Sequence, residues 1–278
     1  MGIINFILNL ACLLLWLNWR SLRSDPLGKR KPATLIGTLR RAEPPRLRHW
    51  HLLAAIGGRL FLRAVFYWQI GSAARPVWAG TLDLGITAPS FLSNSFGRMC
   101  WFSIFSFALV LAVFYLWLLL LSILAGPQPM HGLVRVQLGA VDRWPRWVKW
   151  LLPLVAAALC WWLASWLLVW LQILPQPVSA AHRLAQALLI GLDSYLAWKF
   201  LIGALLVLRL LNNYVYLGKH PFWEYANATA RKLLQPLKKI PLRLGRVDFA
   251  PVAGVVLVFL LARLAGAGLT FIYRRLSF

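Results

Sequence analysis

The feature that most constrains this chain is a pair of long apolar runs, near 188–211 and 250–273, enclosing a cationic loop. Each run can cross the ~30 Å hydrocarbon core of a bilayer as a helix rising ~1.5 Å per residue. Lipid offers no water to the backbone, so a spanning segment of this kind must satisfy its own amides as a helix. The loop carries Lys219, Arg231, Lys232, Lys238, Lys239, Arg243 and Arg246 against only Glu224 and Asp248. Basic loops stay on the cytoplasmic side. Residues 186–273 therefore predict a helical hairpin with its loop inside, and residues 101–173 repeat the plan more loosely.

The loop has a pattern of its own. Phe222, Ala226, Thr229, Ala230 and Leu233 fall on one side of a helical wheel, with Glu224, Asn227, Arg231 and Gln235 opposite. That period predicts an amphipathic helix over 222–235, lying along the headgroups with its apolar side down. Pro236 ends it, because proline lacks an amide donor and clashes with the preceding turn. Asp248 stands where an N-cap is expected, able to accept from the Ala250 amide, and Pro251 has no amide to leave unpaired.

Charge separates two broad classes. The chain has 30 Lys and Arg against 7 Asp and Glu, a net charge of +23, in a composition that is 60% hydrophobic. Such a balance fits nucleic acid or a membrane surface. The cations cluster between apolar segments and no nucleic-acid-binding pattern is present, so the partner expected is anionic lipid, with no nucleic acid. The 16 tryptophans agree, since indoles favour the membrane–water boundary. Cys12, Cys100 and Cys160 stand singly, without the paired spacing of a redox or zinc site.

Read in order, residues 1–19 carry no charge and form an uncleaved anchor with its N-terminus outside. Residues 20–50 are a proline-broken basic block, expected inside. Residues 51–72 contain Arg59 and Arg63 and, read alone, suit an interfacial helix. Parity favours a span whose two arginines snorkel toward the inner surface, because the loops 125–147 and 212–250 are both basic. Residues 73–100 then form an external segment. Spans 101–124 and 148–173 follow, joined by a loop in which Trp144, Trp147 and Trp150 alternate with Arg143, Arg146 and Lys149. The expected fold is all-α: five transmembrane helices and a sixth candidate, with two hairpin repeats carrying basic amphipathic cytoplasmic loops. Its parts are 1–100, 101–173 and 174–278. The C-terminus lies outside.

Chemistry-bearing patterns are sparse. His49, His51, His131, His182 and His220 are scattered through predicted loops, a poor arrangement for metal binding. No nucleophile, metalloprotease, phosphate-loop or dinucleotide signature occurs. No catalytic, cofactor-binding or metal-binding residue is assigned, and no enzyme is expected. Asp193, Lys199 and Arg263 are the charges inside the second hairpin. A lone arginine near mid-membrane costs about 2.5–3.5 kcal/mol on insertion scales, which predicts that Asp193 neutralises Arg263, with Lys199 nearby. The remaining candidate contacts, to lipid or partner, are Arg231, Lys232, Lys238, Lys239, Arg243 and Arg246 in one loop and Arg143, Arg146 and Lys149 in the other.

A series of short motifs resembles the YggT (YlmG) family of integral membrane proteins. Arg209 stands near the end of the first span, then Pro221-Phe222, then Pro236 with Lys238-Lys239-Ile240-Pro241, then Gly245-Arg246-Val247-Asp248 opening the next span at Pro251. Lysines replace the family's arginine pair, Arg246 its second glycine and Ala250 its serine. The resemblance covers residues 186–273 well, 101–173 weakly and 1–100 not at all. It implies a multi-pass protein of a bacterial inner membrane, acting as a non-enzymatic scaffold or assembly factor. Such a protein docks other membrane proteins and grips anionic inner-leaflet lipid through its basic loops. Ionisable residues within spans point to a different class, a small transporter or channel subunit.

Overall fold

A computed structural model describes residues 2–24, 49–74, 77–124, 131–177, 179–214, 221–235, 243–244 and 247–276. The fold is helical, with two short two-stranded ribbons. Its helices are α1 (Gly2–Ser24), α2 (His49–Ala73), α3 (Phe96–Leu124), α4 (His131–Leu138), α5 (Arg146–Trp170), α6 (Ala180–Asp193), α7 (Trp198–Tyr214), α8 (Pro221–Leu233) and α9 (Ala250–Leu276). Strands β1 (Ala79–Thr81) and β2 (Ser90–Leu92) pair antiparallel, as do β3 (Arg243–Leu244) and β4 (Val247–Asp248). Among the described residues, five helical runs are long and apolar enough to cross a membrane: Gly2–Arg20, Phe96–Leu124, Arg146–Trp170, Ala180–Asn213 and Ala250–Leu276. The chain is therefore a multi-pass membrane protein by length and composition. It divides into two compact units, Met1–Leu82 with Ser90–Ala112, and Asp83–Pro89 with Val113–Phe278. The division passes through α3.

In the first unit, α1 and α2 run antiparallel: Asn5 and Asn9 meet Arg63, while Cys12 packs with Ile56. Helices α2 and α3 are antiparallel too, since Phe61 meets Phe96, Arg63 meets Ser103, and Ile56 packs with Phe107. It follows that α1 and α3 point the same way. The segment expected to be external, 73–100, carries the β1–β2 ribbon. Aromatic residues explain it: the Trp78 ring lies 5.0 Å from that of buried Tyr67, and Phe91 lies 5.7 Å from Phe102. Gly80 allows this approach, because a Cβ there would lie 2.9 Å from the Phe102 ring.

In the second unit, α6 and α7 join through a single 3-10 turn, Ser194–Ala197. The run begins at Ala180, earlier than the Leu188 expected from hydropathy. Ser179 caps it by accepting from the His182 amide at 3.1 Å, and the Arg183 guanidinium lies 4.2 Å from the Trp166 ring centre. The cap satisfies an orphan amide and the ring shelters the cation, so the polar first turn stays helical. Helix α5 packs on α6, and α9 packs on α7. Small residues permit both contacts, as membrane helix pairs require. A Cβ on Gly191 would sit 2.6 Å from the Leu154 carbonyl, and one on Gly203 would sit 2.8 Å from Phe259.

Helix α8 folds back on α7. Ala226, Ala230 and Leu234 are buried against Leu205 and Leu206, while Glu224, Arg231, Lys232 and Gln235 are exposed. Its inner face thus meets protein, and Tyr225 and Leu234 join that face. The side chain of Phe222 lies outside the described residues.

Candidate functional site

A buried polar cluster lies where α3 ends and α5 begins. Ser122 occupies the last turn of α3, Asp142 the 3-10 turn Gly139–Arg143, and Lys149 the first turn of α5. All three are buried. Ser122 donates to Asp142 Oδ1 at 2.6 Å. Lys149 Nζ donates to Ser122 Oγ at 2.8 Å and to the Asp142 carbonyl at 2.7 Å, and lies 3.7 Å from Oδ1. Arg135, on α4, reaches Asp142 Oδ2 with Nε at 3.3 Å. Its side chain is otherwise exposed.

A serine beside a lysine invites a nucleophile–base reading, but the geometry opposes it. Three oxygens surround the lysine nitrogen, one of them a carboxylate, so Nζ is already committed to fixed partners. The serine oxygen both donates and accepts already. The cluster acts as a clasp that fixes the loop to both helix ends. Tyr225 of α8 faces the same carboxylate electrostatically. Among the described residues its hydroxyl has no hydrogen-bond partner, and burial, with the Asp142 charge adding to it, pushes its pKa up to about 12.

Lys149 was expected to touch lipid or a partner. The structure corrects this: its neighbours in the cationic row are exposed, but Lys149 is turned inward by its pairing with Asp142. Arg143, Trp144, Arg146, Trp147 and Trp150 remain exposed, with Trp147 at 68%. On α8, Arg231 and Lys232 are exposed, and Lys232 Nζ donates to the Leu124 carbonyl at 2.9 Å. Lys238, Lys239 and Arg246 lie outside the described residues. For Arg243 only the backbone is described, paired with Asp248.

The motif residues are placed unevenly. Arg209 NH1 donates to the Asn227 carbonyl and to its Oδ1, both at 3.4 Å, joining α7 to α8. Pro221 opens α8, and Pro251 is the buried second residue of α9. Pro236, Pro241 and Gly245 lie outside the described residues, as do the side chains of Phe222 and Asp248. The N-cap expectation for Asp248 thus cannot be read from its carboxylate. Its backbone is in β4, and the Phe249 carbonyl accepts from the Ala253 amide at 3.0 Å.

The intramembrane charges do not pair as expected. Among the described residues no ion pair joins Asp193 to Arg263. Ala262 is buried, and Gly266 lies close to Leu196 on the side of α9 facing α6–α7. One residue on, at ~100° around the helix, Arg263 is exposed. The Asp193 carboxylate instead abuts Gly85, whose φ is +83°, and its charged neighbours are Lys199 and Asp83. Arg63 also departs from expectation. It does not snorkel with Arg59 but is buried, at 3% exposure, among side chains of α1 and α3.

His182 lies in α6 rather than a loop, 3.0 Å from Gln186 Nε2. Among the described residues no three His, Cys, Asp or Glu side chains gather as a metal site would require. No protein-family model matches the chain, and no curated protein or solved structure matches it.

Proposed function

We propose that this protein is a non-enzymatic membrane scaffold or assembly factor of the YggT type, resident in a bacterial inner membrane. Its basic loops contact anionic inner-leaflet lipid, and its spans dock other membrane proteins. The observation that carries the reading is the exposed row Arg143, Trp144, Arg146, Trp147 and Trp150, backed by the buried Lys149–Asp142 clasp. A rigid backing holds the indoles and cations outward, where indoles settle at headgroup level and arginines meet phosphate. Arg231 and Lys232 add to the exposed charge on α8. The order of long helix, short helix and long helix in α3–α4–α5 and in α7–α8–α9 supports a reading as tandem hairpins.

Two measurements test the proposal. Purification in mild detergent should retain anionic lipid and recover the same membrane-protein partners reproducibly. Arg143→Gln with Arg146→Gln should reduce the lipid retained. Unchanged lipid retention together with no reproducible partner would defeat the reading.

A transporter or channel subunit is the second reading. It is favoured by Asp193 and Lys199, which flank the 3-10 turn between α6 and α7. Interrupted helices beside charges recur at transport sites. Proteoliposomes carrying the purified protein would then pass ions or solute, and Asp193→Asn would abolish the flux.

A further inference from the structure

We infer that α2 is a conditional span, one that crosses the membrane only when α1 and α3 supply the acceptors enclosing Arg63. By composition α2 is not among the helices apolar enough to cross. By direction it must cross, because α1 and α3 run the same way and both are spans. The conflict is resolved at one side chain.

Arg63 Nε donates to Ser103 Oγ at 2.9 Å, and NH1 donates to Asn9 Oδ1 at 2.6 Å and Asn5 Oδ1 at 3.2 Å. NH2 donates to the Ser103 carbonyl. The amide nitrogens of Asn5 and Asn9 point the other way, to Ser106 Oγ at 3.2 and 2.9 Å, which orients both amide oxygens toward the guanidinium. Ser103 Oγ donates in turn to the Leu60 carbonyl at 2.7 Å. Every acceptor is neutral, and no carboxylate belongs to the described residues of this unit. The cage therefore replaces the hydration shell of the cation without cancelling its charge.

Such a cage exists only when three helices meet at one depth. Asn5 and Asn9 lie early in α1, Ser103 and Ser106 in the first half of α3, and Arg63 just past the middle of antiparallel α2, and their hydrogen bonds put them at one level. Before that meeting, Arg63 in lipid has nothing to bond. Afterwards three side chains and one backbone carbonyl of two neighbouring helices hold it. Asn9 and Ser103 are positioning residues for the span, acting through Arg63. Arg59, one turn earlier, is exposed and outside the cage.

The test uses the full chain in cell membranes, with a reporter Asn94→Cys in the exposed turn after β2 and the chain lacking that reporter as the blank. Impermeant maleimide added outside should label the reporter. Asn9→Leu should lower the ratio of labelled to unlabelled chains about tenfold or more, the scale of a lost hydrogen bond to a charged group. Arg63→Leu should restore labelling in the Asn9→Leu background, because an apolar α2 needs no cage. The inference is overturned if the reporter never labels, if Asn9→Leu with Ser103→Ala leaves labelling unchanged, or if Arg63→Leu fails to restore it.

Discussion

Trp117 and Trp198 each donate an indole N–H to the carbonyl of the residue preceding the other. Trp117 Nε1 bonds the Ala197 carbonyl and Trp198 Nε1 bonds the Leu116 carbonyl, both at 3.0 Å. The exchange ties α3 to the 3-10 turn between α6 and α7. A tightened turn has poorer internal hydrogen-bond geometry than an α-helix, so outside donors matter more there. Replacing either tryptophan by phenylalanine keeps most of the ring and removes the donor. Each change should cost about 0.6–1.7 kcal/mol, the range of polar contacts between membrane helices. Denaturant titration in detergent micelles would measure it. The two bonds fix the same pair of helices, so the double variant should lose less than the sum of the singles.

The clasp at Asp142 predicts a sharp contrast within one row of cations. Lys149→Met leaves a buried carboxylate short of its ammonium and should destabilise by about 3–5 kcal/mol. Arg143→Gln and Arg146→Gln, at exposed positions, should stay within about 0.5 kcal/mol. Lys149→Met combined with Asp142→Leu should be milder than Lys149→Met alone, because no charge is then stranded. Equal effects along the row would show that Lys149 faces outward like its neighbours.

That row also shows what sequence could reveal. Arg143, Arg146 and Lys149 look equivalent because their spacing and charge are equivalent. What distinguishes Lys149 is a carboxylate seven residues earlier, and periodicity carries no sign of that pairing. Long apolar runs were legible because lipid leaves the backbone few options, so each of the five runs coincides with a helix long and apolar enough to span. The burial of Arg63 is hidden from the sequence for the opposite reason. Its acceptors come from α1 and α3, far away in sequence, and Asn5, Asn9, Ser103 and Ser106 are unremarkable in composition. The start of α6 was placed late because hydropathy counts Arg183 as a cost, whereas stacking on Trp166 removes much of that cost.

Tyr225 gives a pH dependence with a definite sign. In the unfolded chain its hydroxyl ionises near ~10, and in the folded protein it ionises at about 12. Between these values the unfolded chain has released a proton that the folded chain retains. Stability should therefore be unaffected by this group below pH ~10 and should fall as pH rises toward ~12, by on the order of 1–2 kcal/mol. Tyr225→Phe should remove that part of the decline. Near neutral pH the same variant should be close to neutral or slightly stabilising, since the buried hydroxyl has no partner to lose among the described residues. Unfolding measured in parallel on both proteins cancels the ionisation of lysines common to them. An alkaline slope identical in the two would place Tyr225 in contact with water.

Gly85 and Asp193 make the last contrast, at the segment Asp83–Pro89. The Gly85 amide donates to Asp83 Oδ1 at 2.9 Å, and the Leu84 amide donates to the Thr87 carbonyl at 3.0 Å, which closes a tight turn. Thr87 also shares a side-chain hydrogen bond with Tyr273 near the end of α9. The turn needs φ +83° at Gly85, and a Cβ there would lie 2.2 Å from Asp193 Oδ2. Two separate penalties therefore fall on Gly85→Ala. The left-handed backbone costs about 1–2 kcal/mol for a residue with a Cβ, and the collision must displace the Asp193 carboxylate. Asp193→Ala in the Gly85→Ala background relieves the collision and leaves the backbone term. The double variant should thus recover only in part, and limited proteolysis within 83–89 should follow the order Gly85→Ala fastest, double variant intermediate, unaltered chain slowest. Full recovery would assign the whole effect to the carboxylate. No recovery would mean that Asp193 does not press on the turn.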